Sequence, residues 1–251
     1  CLRAARLPVY AMPETAVAAL AALARARRIR ESWQAPEISR SFDRARAQAV
    51  IDRARAAGRS ALTSDEGAEV LSAYDISVCS FRYVDDGEDV AAAAAALGWP
   101  VVAKIDSPKL FHRFESGAVV TGIETESGLR SAVARLRGIA RDLGLEDARI
   151  LLQETARGRE LIFGVERDPA FGPVVMFGLG GTFVEALHDV AFAVSPVNAY
   201  QAAATIRSIR SFRLLEAFRG QEAVDLDPLV RLLTALGRLG LDLPPVQEVD
   251  L

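Results

Sequence analysis

The feature that most constrains the fold is a polar loop held between two apolar, β-branched segments. Residues 101–105 (Val-Val-Ala-Lys-Ile) have the composition of a buried strand, and residues 119–123 (Val-Val-Thr-Gly-Ile) have that of a second one. The loop between them contains His112 and Gly117, and Lys104 stands just before it. A strand, a loop and a strand with lysine, histidine and glycine are typical of a segment that handles phosphate.

Lys104 is unusual because the chain carries almost all of its positive charge on arginine. Of 30 basic residues, only Lys104 and Lys109 are lysines. The lysine ammonium is a compact point charge, so Lys104 is a candidate phosphate ligand. The alternative is a lysine at the edge of a sheet whose long side chain reaches solvent.

His112 is the second candidate in this loop, and it is one of only two histidines in the chain. Imidazole can position a phosphate, or accept a phosphoryl group, near neutral pH. The alternative is a loop histidine without a role. The nearby lysine, glycine and Glu115 favour the functional interpretation.

Composition and charge exclude several other classes of protein. The chain has 251 residues, 51% of them hydrophobic, which suffices for one large core or two modest ones. Residues 91–97 form the most monotonous apolar run, and it is too short to span a bilayer. No signal peptide is visible, and Cys1 and Cys79 lack metal or disulfide spacing, so a cytoplasmic location is expected.

The net charge of −3 is unevenly distributed. Residues 1–60 contain 12 arginines and 5 acidic residues, a balance of +7 that leaves −10 for the remainder. These arginines stand at helical spacing among alanines, without the aromatic or glycine pattern of a nucleic-acid module. A solvated helix surface is therefore favoured over a nucleic-acid-binding arm.

The order of predicted elements favours an α+β fold with antiparallel sheets over a doubly wound parallel sheet, because tight turns join adjacent strands. Thr63 and Glu66 have the spacing of a capping box at the start of a helix. Helices are predicted over residues 13–30, 40–57, 63–74 and 126–143. Further strands are predicted over residues 76–81, 149–155, 161–166, 174–177, 183–193 and 246–250.

Other candidates stand at the ends of strands. Gln153 and Glu154 end an apolar strand, where an acceptor could hold an adenine amine, although a polar strand end without a role is equally consistent. Glu160 opens the next strand and could face the same cleft. Glu248 and Asp250 alternate along the last strand and share one face, where carboxylates could hold Mg²⁺ together with nucleotide phosphates.

A glycine-rich turn at residues 178–181 could bring backbone amides near phosphates. It lacks the lysine and hydroxyl of a P-loop, so Gly180 and Gly181 fit a plain tight turn equally well. His188 and Asp189 are adjacent on a predicted strand and point to opposite faces, which disfavours an acid–base pair.

These segments resemble the ATP-grasp domain of NDP-forming acyl-CoA synthetases, the ADP-forming acetate–CoA ligase type. The resemblance covers residues 62–251 and is carried by residues 107–123, 160–181, 184–185 and 189–192. It implies an ATP-grasp fold, in which two α+β subdomains with antiparallel sheets grip a nucleotide. Residues 1–30 resemble the tail of a preceding CoA-ligase domain, with a linker and helix at residues 31–61. In the family the last strand continues through Asn-Pro, so a domain truncated at its C-terminus is expected.

The resemblance also implies a reaction: acyl-CoA, ADP and phosphate interconvert with carboxylic acid, CoA and ATP through acyl phosphate and phosphohistidine. It implies His112 as the catalytic phosphoryl carrier and Asp250 on the metal side. It implies Lys104 on the phosphates and Gln153 and Glu154 at the adenine. Gly117, Glu160, Gly180 and Gly181, candidates from the sequence pattern, complete the expected nucleotide-binding residues. ATP or ADP and Mg²⁺ are the implied cofactors. The implied partners are the CoA-binding and ligase domains, in the same protein or in a partner subunit, and acyl-CoA or acyl phosphate, with neither nucleic acid nor membrane.

Several positions depart from the family pattern, and at Arg113 and Glu115 the charge is kept. Phe114 and Ala118 change the polarity and flexibility of the loop, and Ala193 stands where the family usually has arginine, a cation expected on the phosphate side. These departures favour an alternative, a drifted ATP-grasp module that binds nucleotide as a regulatory or structural domain without phosphoryl transfer. Lys104, His112 and the intact glycine-rich run oppose it.

Overall fold

A computed structural model describes residues 8–34, 40–85, 89–110, 116–181, 189–217 and 222–251. The chain forms two compact units. The central unit is Ser41–Glu160, and the terminal unit combines Cys1–Arg40 with Leu161–Leu251. Each unit contains one four-stranded sheet with all of its described pairings antiparallel, which confirms the predicted α+β class.

The elements of the central unit are α2 (Arg44–Ala56), α3 (Ser64–Ala73), β1 (Phe81–Val84), α4 (Val90–Leu97), β2 (Val101–Asp106), β3 (Val119–Ile123), α5 (Glu126–Asp142) and β4 (Arg149–Glu154). Those of the terminal unit are α1 (Pro13–Gln34), β5 (Leu161–Asp168), β6 (Gly172–Leu179), β7 (Val190–Val194), α6 (Ala199–Ser208), a 3₁₀ helix (Arg210–Leu215), α7 (Leu226–Asp242) and β8 (Glu248–Asp250). The predicted helices at residues 13–30, 40–57 and 126–143 are confirmed with shifted ends.

The sheet of the central unit has the strand order β1-β4-β2-β3. Alternate residues of β2 and β4 enter the core on one face, where α4 and α5 pack. Helix α5 contributes the apolar stripe that its sequence spacing predicts, with Leu129, Val133 and Leu136 buried. The remaining residues of β2 and β4 therefore point to the opposite face of this sheet.

Helix α3 begins and ends with defined caps. Thr63 and Glu66 form the predicted capping box. At the other end Asp75 has a φ of 57°, its N–H donates to Ser72, and the N–H of Ile76 donates to Leu71. This Schellman arrangement places buried Ile76 in the helix cap. A strand over residues 76–81 is therefore a wrong prediction, and β1 begins only at Phe81.

The sheet of the terminal unit has the strand order β7-β6-β5-β8, and α6 and α7 cover one of its faces. Helix α7 can lie close to the sheet because Gly240 has no side chain. A Cβ added there would stand 2.8 Å from the Cβ of Pro173. Arg167 on β5 donates to the carbonyl of Gly240 at 2.5 Å and to that of Val246 at 3.2 Å. These bonds tie the end of α7 to the hairpin of β5 and β6.

No helix within the described ranges is both long enough and apolar enough to span a membrane. The longest, α1, has 22 residues and a polar C-terminal half rich in arginine.

Candidate functional site

Lys104 and Gln153 lie on the same face of the central sheet. In the antiparallel pairing of β2 with β4, Lys104 is opposite Leu151 and Val102 is opposite Gln153. Residues directly opposite one another share a face, so Lys104, Val102, Leu151 and Gln153 point away from α4 and α5. We call this surface, which also includes Phe81 and Tyr83 of β1, the Lys104 face.

Glu154 points the other way, because it pairs with the core residue Val101. Three residues along the sheet and one strand across separate it from Lys104, which corresponds to roughly 11 Å between Cα atoms. The carboxylate of Glu154 accepts a hydrogen bond of 2.7 Å from the N–H of Ser80. This carboxylate therefore holds the start of β1, while the side chain of Gln153 remains on the Lys104 face.

Gly117 lies at the base of the loop that links β2 to β3. It has a φ of 68°, a left-handed conformation that favours glycine, and the N–H of Ile105 donates to the carbonyl of Ala118 at 2.9 Å. The predicted catalytic residue His112, together with Phe114 and Glu115, lies outside the described residues, as does His188. Glu160 is exposed in the segment between β4 and β5.

A buried carboxylate that the sequence interpretation did not single out lies beside Lys104. Asp106 is two residues further along β2, on the same face, and is 1% exposed. It accepts hydrogen bonds from the Ser64 N–H at 2.9 Å, the Ser64 hydroxyl at 2.7 Å and the Tyr83 hydroxyl at 2.5 Å. Burial, and after it the hydrogen bond to Asp106, raises the pKa of Tyr83, so its hydroxyl stays a donor. No local sequence signal reveals this cluster, because its members are up to 42 residues apart.

On the sheet of the terminal unit, carboxylates gather on one face of β5 and β8. Asp250 pairs with Gly164 and Glu248 pairs with Glu166, so all three carboxylates lie on the face opposite α6 and α7. The charge of Asp250, and after it burial, raises the pKa of Glu248. Glu166 was missed because only the strand register places it opposite Glu248.

The carboxylate face can attract a cation but does not complete a metal centre by itself. No group of three metal-ligating His, Cys, Asp or Glu side chains is found in the part of the chain that the structure describes. Asp250 can therefore supply one oxygen ligand, and phosphate oxygens and water would have to supply the rest.

The glycine-rich run at the end of β6 contains glycines with different structural roles. At Gly178 an added Cβ would meet the carbonyl oxygen of Asp189 at 2.9 Å and Val190 Cγ1 at 2.8 Å, so sheet packing excludes any side chain there. Gly180 is buried, and Gly181 begins a turn with a φ of 64°. The segment that follows, residues 182–188, lies outside the described residues.

Asp189 is a structural cap. Its carboxylate accepts from the N–H groups of Arg210 and Ser211 at 2.8 and 2.7 Å, and from the Ser211 hydroxyl. Burial alone would raise the pKa of Asp189, but these hydrogen bonds outweigh it and the pKa lies below its ordinary value. The carboxylate holds the first turn of the 3₁₀ helix.

Ala193 lies on the covered face of its sheet. It pairs with Val175, which is fully buried under the helices, whereas the neighbouring Phe192 pairs with Met176 on the opposite, carboxylate face. A side chain at position 193 therefore does not point toward the face that bears Asp250. The expectation that alanine here removes a cation from the phosphate side gains no support from this register.

The two antiparallel sheets, each with helices packed on it, define the chain as an α+β protein. A family model for the ATP-grasp domain matches residues 53–251. The chain belongs to the ATP-grasp family.

Relatives and solved structures agree with this assignment. The chain is 36% identical to the ADP-forming acetate–CoA ligase I subunit beta of Pyrococcus furiosus over 82% of this chain and 90% of that protein. It is 33% identical to the ADP-forming acetate–CoA ligase I of Archaeoglobus fulgidus over all of this chain but only 37% of that protein. Among solved structures, the dinucleotide forming acetyl-coenzyme A synthetase 1 of Ca. Korarchaeum cryptofilum, in complex with coenzyme A and Ca-AMPCP, superimposes with a TM-score of 0.75 at 33% identity, covering 82% of this chain and 91% of that one.

Proposed function

We propose that the chain is the nucleotide-binding part of an ADP-forming acyl-CoA synthetase, an acid–thiol ligase. The reaction interconverts acyl-CoA, ADP and phosphate with carboxylic acid, CoA and ATP. Phosphate displaces CoA to give acyl phosphate, a histidine takes the phosphoryl group as the acid leaves, and ADP accepts that group. The observation that carries the proposal is the register that brings Lys104 and Gln153 to one face within a family whose relatives are such ligases.

In this proposal Lys104 contacts the phosphates and Gln153 the adenine. The ammonium group supplies a point charge that matches phosphate oxygens, and an amide side chain can both donate to and accept from an adenine edge. Gly117, Gly180 and Gly181 would let the backbone approach the nucleotide. Glu154 would act through its backbone, since its carboxylate is engaged by Ser80.

Asp250 would hold Mg²⁺, which neutralises phosphate charge when it is bound. The fit rests on carboxylate chemistry, because Asp250 and Glu248 lie close enough for the charge of one to raise the pKa of the other. A structure of the Korarchaeum relative that contains Mg-AMPPCP, at 35% identity, has its phosphohistidine segment directed toward the nucleotide site. That likeness supports Mg²⁺ here, and the proposed role of His112 as the phosphoryl carrier rests on the resemblance of its loop to the family loop.

The proposal includes CoA-binding and ligase domains as partners, in the same protein or in a second subunit, and a cytoplasmic location. Helix α1 supports a fused arrangement, because Val17, Leu20 and Leu23 are 63–65% exposed. A lone helix with such side chains in water is marginal, so we assign this apolar surface of α1, which lies in the expected tail of the ligase domain, to contact with that domain. Two of the longer ligases, acetate–CoA ligase I of Archaeoglobus fulgidus and the 4-hydroxybutyrate ligase, match 98–100% of this chain, separate beta subunits match 80–82% of it, and two other long acetate ligases match 73–76%.

The alternative of a drifted module without phosphoryl transfer is less well supported. Of the two residues that favour it, Ala193 has its side chain on the covered face of the sheet, and Phe114 lies outside the described residues. The pairing of β2 with β4 puts Lys104 and Gln153 on one face, which supports nucleotide binding.

Replacement of Lys104 tests the proposal, and Lys109 is its matched control. Lys104→Ala should weaken Mg·ATP binding by roughly 10- to 150-fold, the equivalent of a lost charged hydrogen bond. Lys109→Ala should leave the affinity within about twofold, because Lys109 is 65% exposed and lies 3.6 Å from Asp147. Affinity is measured by NMR titration of the ¹⁵N-labelled chain.

Replacement of His112 separates nucleotide binding, measured by the same titration, from phosphoryl transfer. His112→Ala should leave nucleotide binding within a few-fold but abolish passage of radiolabelled phosphate between acyl phosphate and ADP in the complete enzyme. Transfer at the parent rate would favour the drifted module, and unchanged affinity in Lys104→Ala would overturn the nucleotide site.

A further inference from the structure

Asp106 is a buried carboxylate that the proposed reaction does not use. It stands on the Lys104 face two residues beyond Lys104, a separation of about 7 Å along the strand. Burial of a carboxylate costs several kcal/mol unless hydrogen bonds compensate for the lost water. Asp106 has such compensation, since three donors point at its two oxygens.

The three donors come from two different elements. Ser64 is the first residue of α3 and contributes its N–H and its hydroxyl, whereas Tyr83 lies in β1. Since β4 separates β1 from β2 in the sheet, the bond from Tyr83 to Asp106 spans β4. Asp106 therefore fixes the end of β2 both to the helix terminus and to a strand with which β2 does not pair.

Further contacts hold the donor residues Ser64 and Tyr83 in place. Arg149 of β4 stacks on the Tyr83 ring at 3.6 Å and donates to Asp65 at 2.8 Å. Tyr83 also lies 3.0 Å from the Asp65 carboxylate. A carboxylate whose donors are themselves held in this way can position a neighbouring side chain within a few tenths of an ångström.

The next residue along the chain is anchored separately. The hydroxyl of Ser107, which is 1% exposed, donates to Asp147 at 3.1 Å and accepts from the N–H of Lys109 at 3.2 Å. The end of β2 is thus held at two consecutive residues by partners from different parts of the central unit. Such anchoring exceeds what the strand pairing of Lys104 with Leu151 and Val119 alone would provide.

We propose that Asp106 is a positioning residue for nucleotide binding, acting by fixing where Lys104 stands on its face. The proposal rests on the proposed function, in which Lys104 contacts phosphate. Asp106 is not a ligand in this scheme, since its two oxygens already accept three hydrogen bonds. Its effect on the nucleotide passes entirely through Lys104.

The sign of the expected effect separates positioning from simple electrostatics. Asp106→Asn removes a negative charge, which by itself should strengthen binding of anionic ATP. Asparagine has one acceptor oxygen where aspartate has two, and its hydrogen bonds from Ser64 and Tyr83 are no longer charge-assisted, so the anchor is weakened. Weaker binding in this variant therefore reports displacement of Lys104 and not loss of charge.

The test is a double-mutant cycle measured by NMR titration of the ¹⁵N-labelled chain with Mg·ATP. Asp106→Asn should weaken binding about tenfold when Lys104 is present, as expected for a displaced binding group, and less than about twofold in a Lys104→Ala background. General destabilisation would give the same loss in both backgrounds. Glu126→Gln, an exposed carboxylate on α5 with the same change of charge, should leave the affinity of the parent unchanged.

Equal losses in both backgrounds, or no loss in either, would overturn the positioning role. If Asp106→Asn fails to fold, Tyr83→Phe removes one donor and keeps the carboxylate, and it enters the same cycle with an expected loss of about threefold. The Lys104→Ala variant alone decides the nucleotide site. A loss there without any loss in the Asp106 or Tyr83 variants would leave the proposed function standing and the positioning role refuted.

Discussion

Single residues in this chain differ in what their hydrogen bonds accomplish. The side chains of Glu154 and Asp189, which lie in or near family motifs, are bonded to backbone N–H groups and hold a strand start and a 3₁₀ helix. Gln153 and Asp250 instead lie on the sheet faces opposite the α4–α5 pair and the α6–α7 pair. The distinction separates residues that maintain the fold from those proposed to meet a ligand.

Glu66 makes stability depend on pH at the start of α3. Its carboxylate accepts two hydrogen bonds of 2.6 Å from Arg59, and these lower its pKa from 4.5 to about 2. A carboxyl whose pKa is depressed in the folded state stabilises it fully above the unfolded pKa. That contribution is lost as the pH falls toward the folded pKa, here between about 4.5 and 2.

Glu66→Gln should therefore lower stability by about 1.5–3 kcal/mol at pH 7 and flatten the dependence of Tm on pH below 4.5. Thermal unfolding followed by circular dichroism from pH 7 to pH 2 measures both effects. Arg59→Gln should reproduce the flattening because it removes the other half of the pair. A Glu66→Gln variant with the steep acid loss of the parent would contradict the assignment.

At the scale of elements, close packing of α7 on its sheet depends on glycine. Added Cβ atoms would stand 2.8 Å from the Cβ of Pro173 at Gly240 and 3.0 Å from the Ser195 hydroxyl at Gly237. Pro173 and Val165, which borders Gly240, belong to the two central strands of the sheet, so neither can move without disturbing strand pairing. Helix α5 packs differently, through larger side chains such as Leu129 and Leu136.

Gly240→Ala should consequently destabilise the protein by about 1–3 kcal/mol, as expected for overpacking. Gly138 in α5 is the matched control, since no heavy atom lies within 4 Å of its added Cβ. Gly138→Ala should be neutral or stabilise by about 0.5–1 kcal/mol through helix propensity. Urea unfolding of both variants measures the difference, and equal midpoints would refute the packing argument.

For the molecule as a whole, several arginines of the basic N-terminal quarter pair with carboxylates. Arg27 pairs with Glu31 at 2.7 Å, and Arg46 and Arg53 both pair with Glu69, at 3.2 and 3.4 Å. The net charge of the chain is −3. Internal pairing and net negative charge both oppose release of counterions from a nucleic acid.

The chain should therefore bind a 20-base-pair DNA duplex more weakly than about 10⁻⁴ M at 0.15 M salt. Fluorescence anisotropy with labelled duplex measures this affinity. Micromolar binding that weakens steeply with added salt would show that the arginines of α1 and α2 form a phosphate-binding surface after all.

The sequence by itself determined the elements whose causes are local. The capping box at Thr63 and Glu66, the apolar stripe of α5 and the β-branched strands around the loop follow from propensity and periodicity, which act over a few residues. Lys104 and the glycine-rich run could also be identified from short segments of sequence, because the residue types themselves carry the signal. The expected strand at residues 76–81 failed because the helix-capping contact of Ile76 competes with strand formation there.

Only the tertiary structure decided which of these residues share a surface. In the central sheet, antiparallel register put Gln153 on the same face as Lys104 and turned Glu154 toward the core side. In the other sheet it placed Glu166 opposite Glu248 and put Ala193 on the face covered by helices. It also brought Asp106 together with Ser64 and Tyr83. A shift of one residue in register reverses every side chain on a strand, and register is fixed by contacts between distant segments.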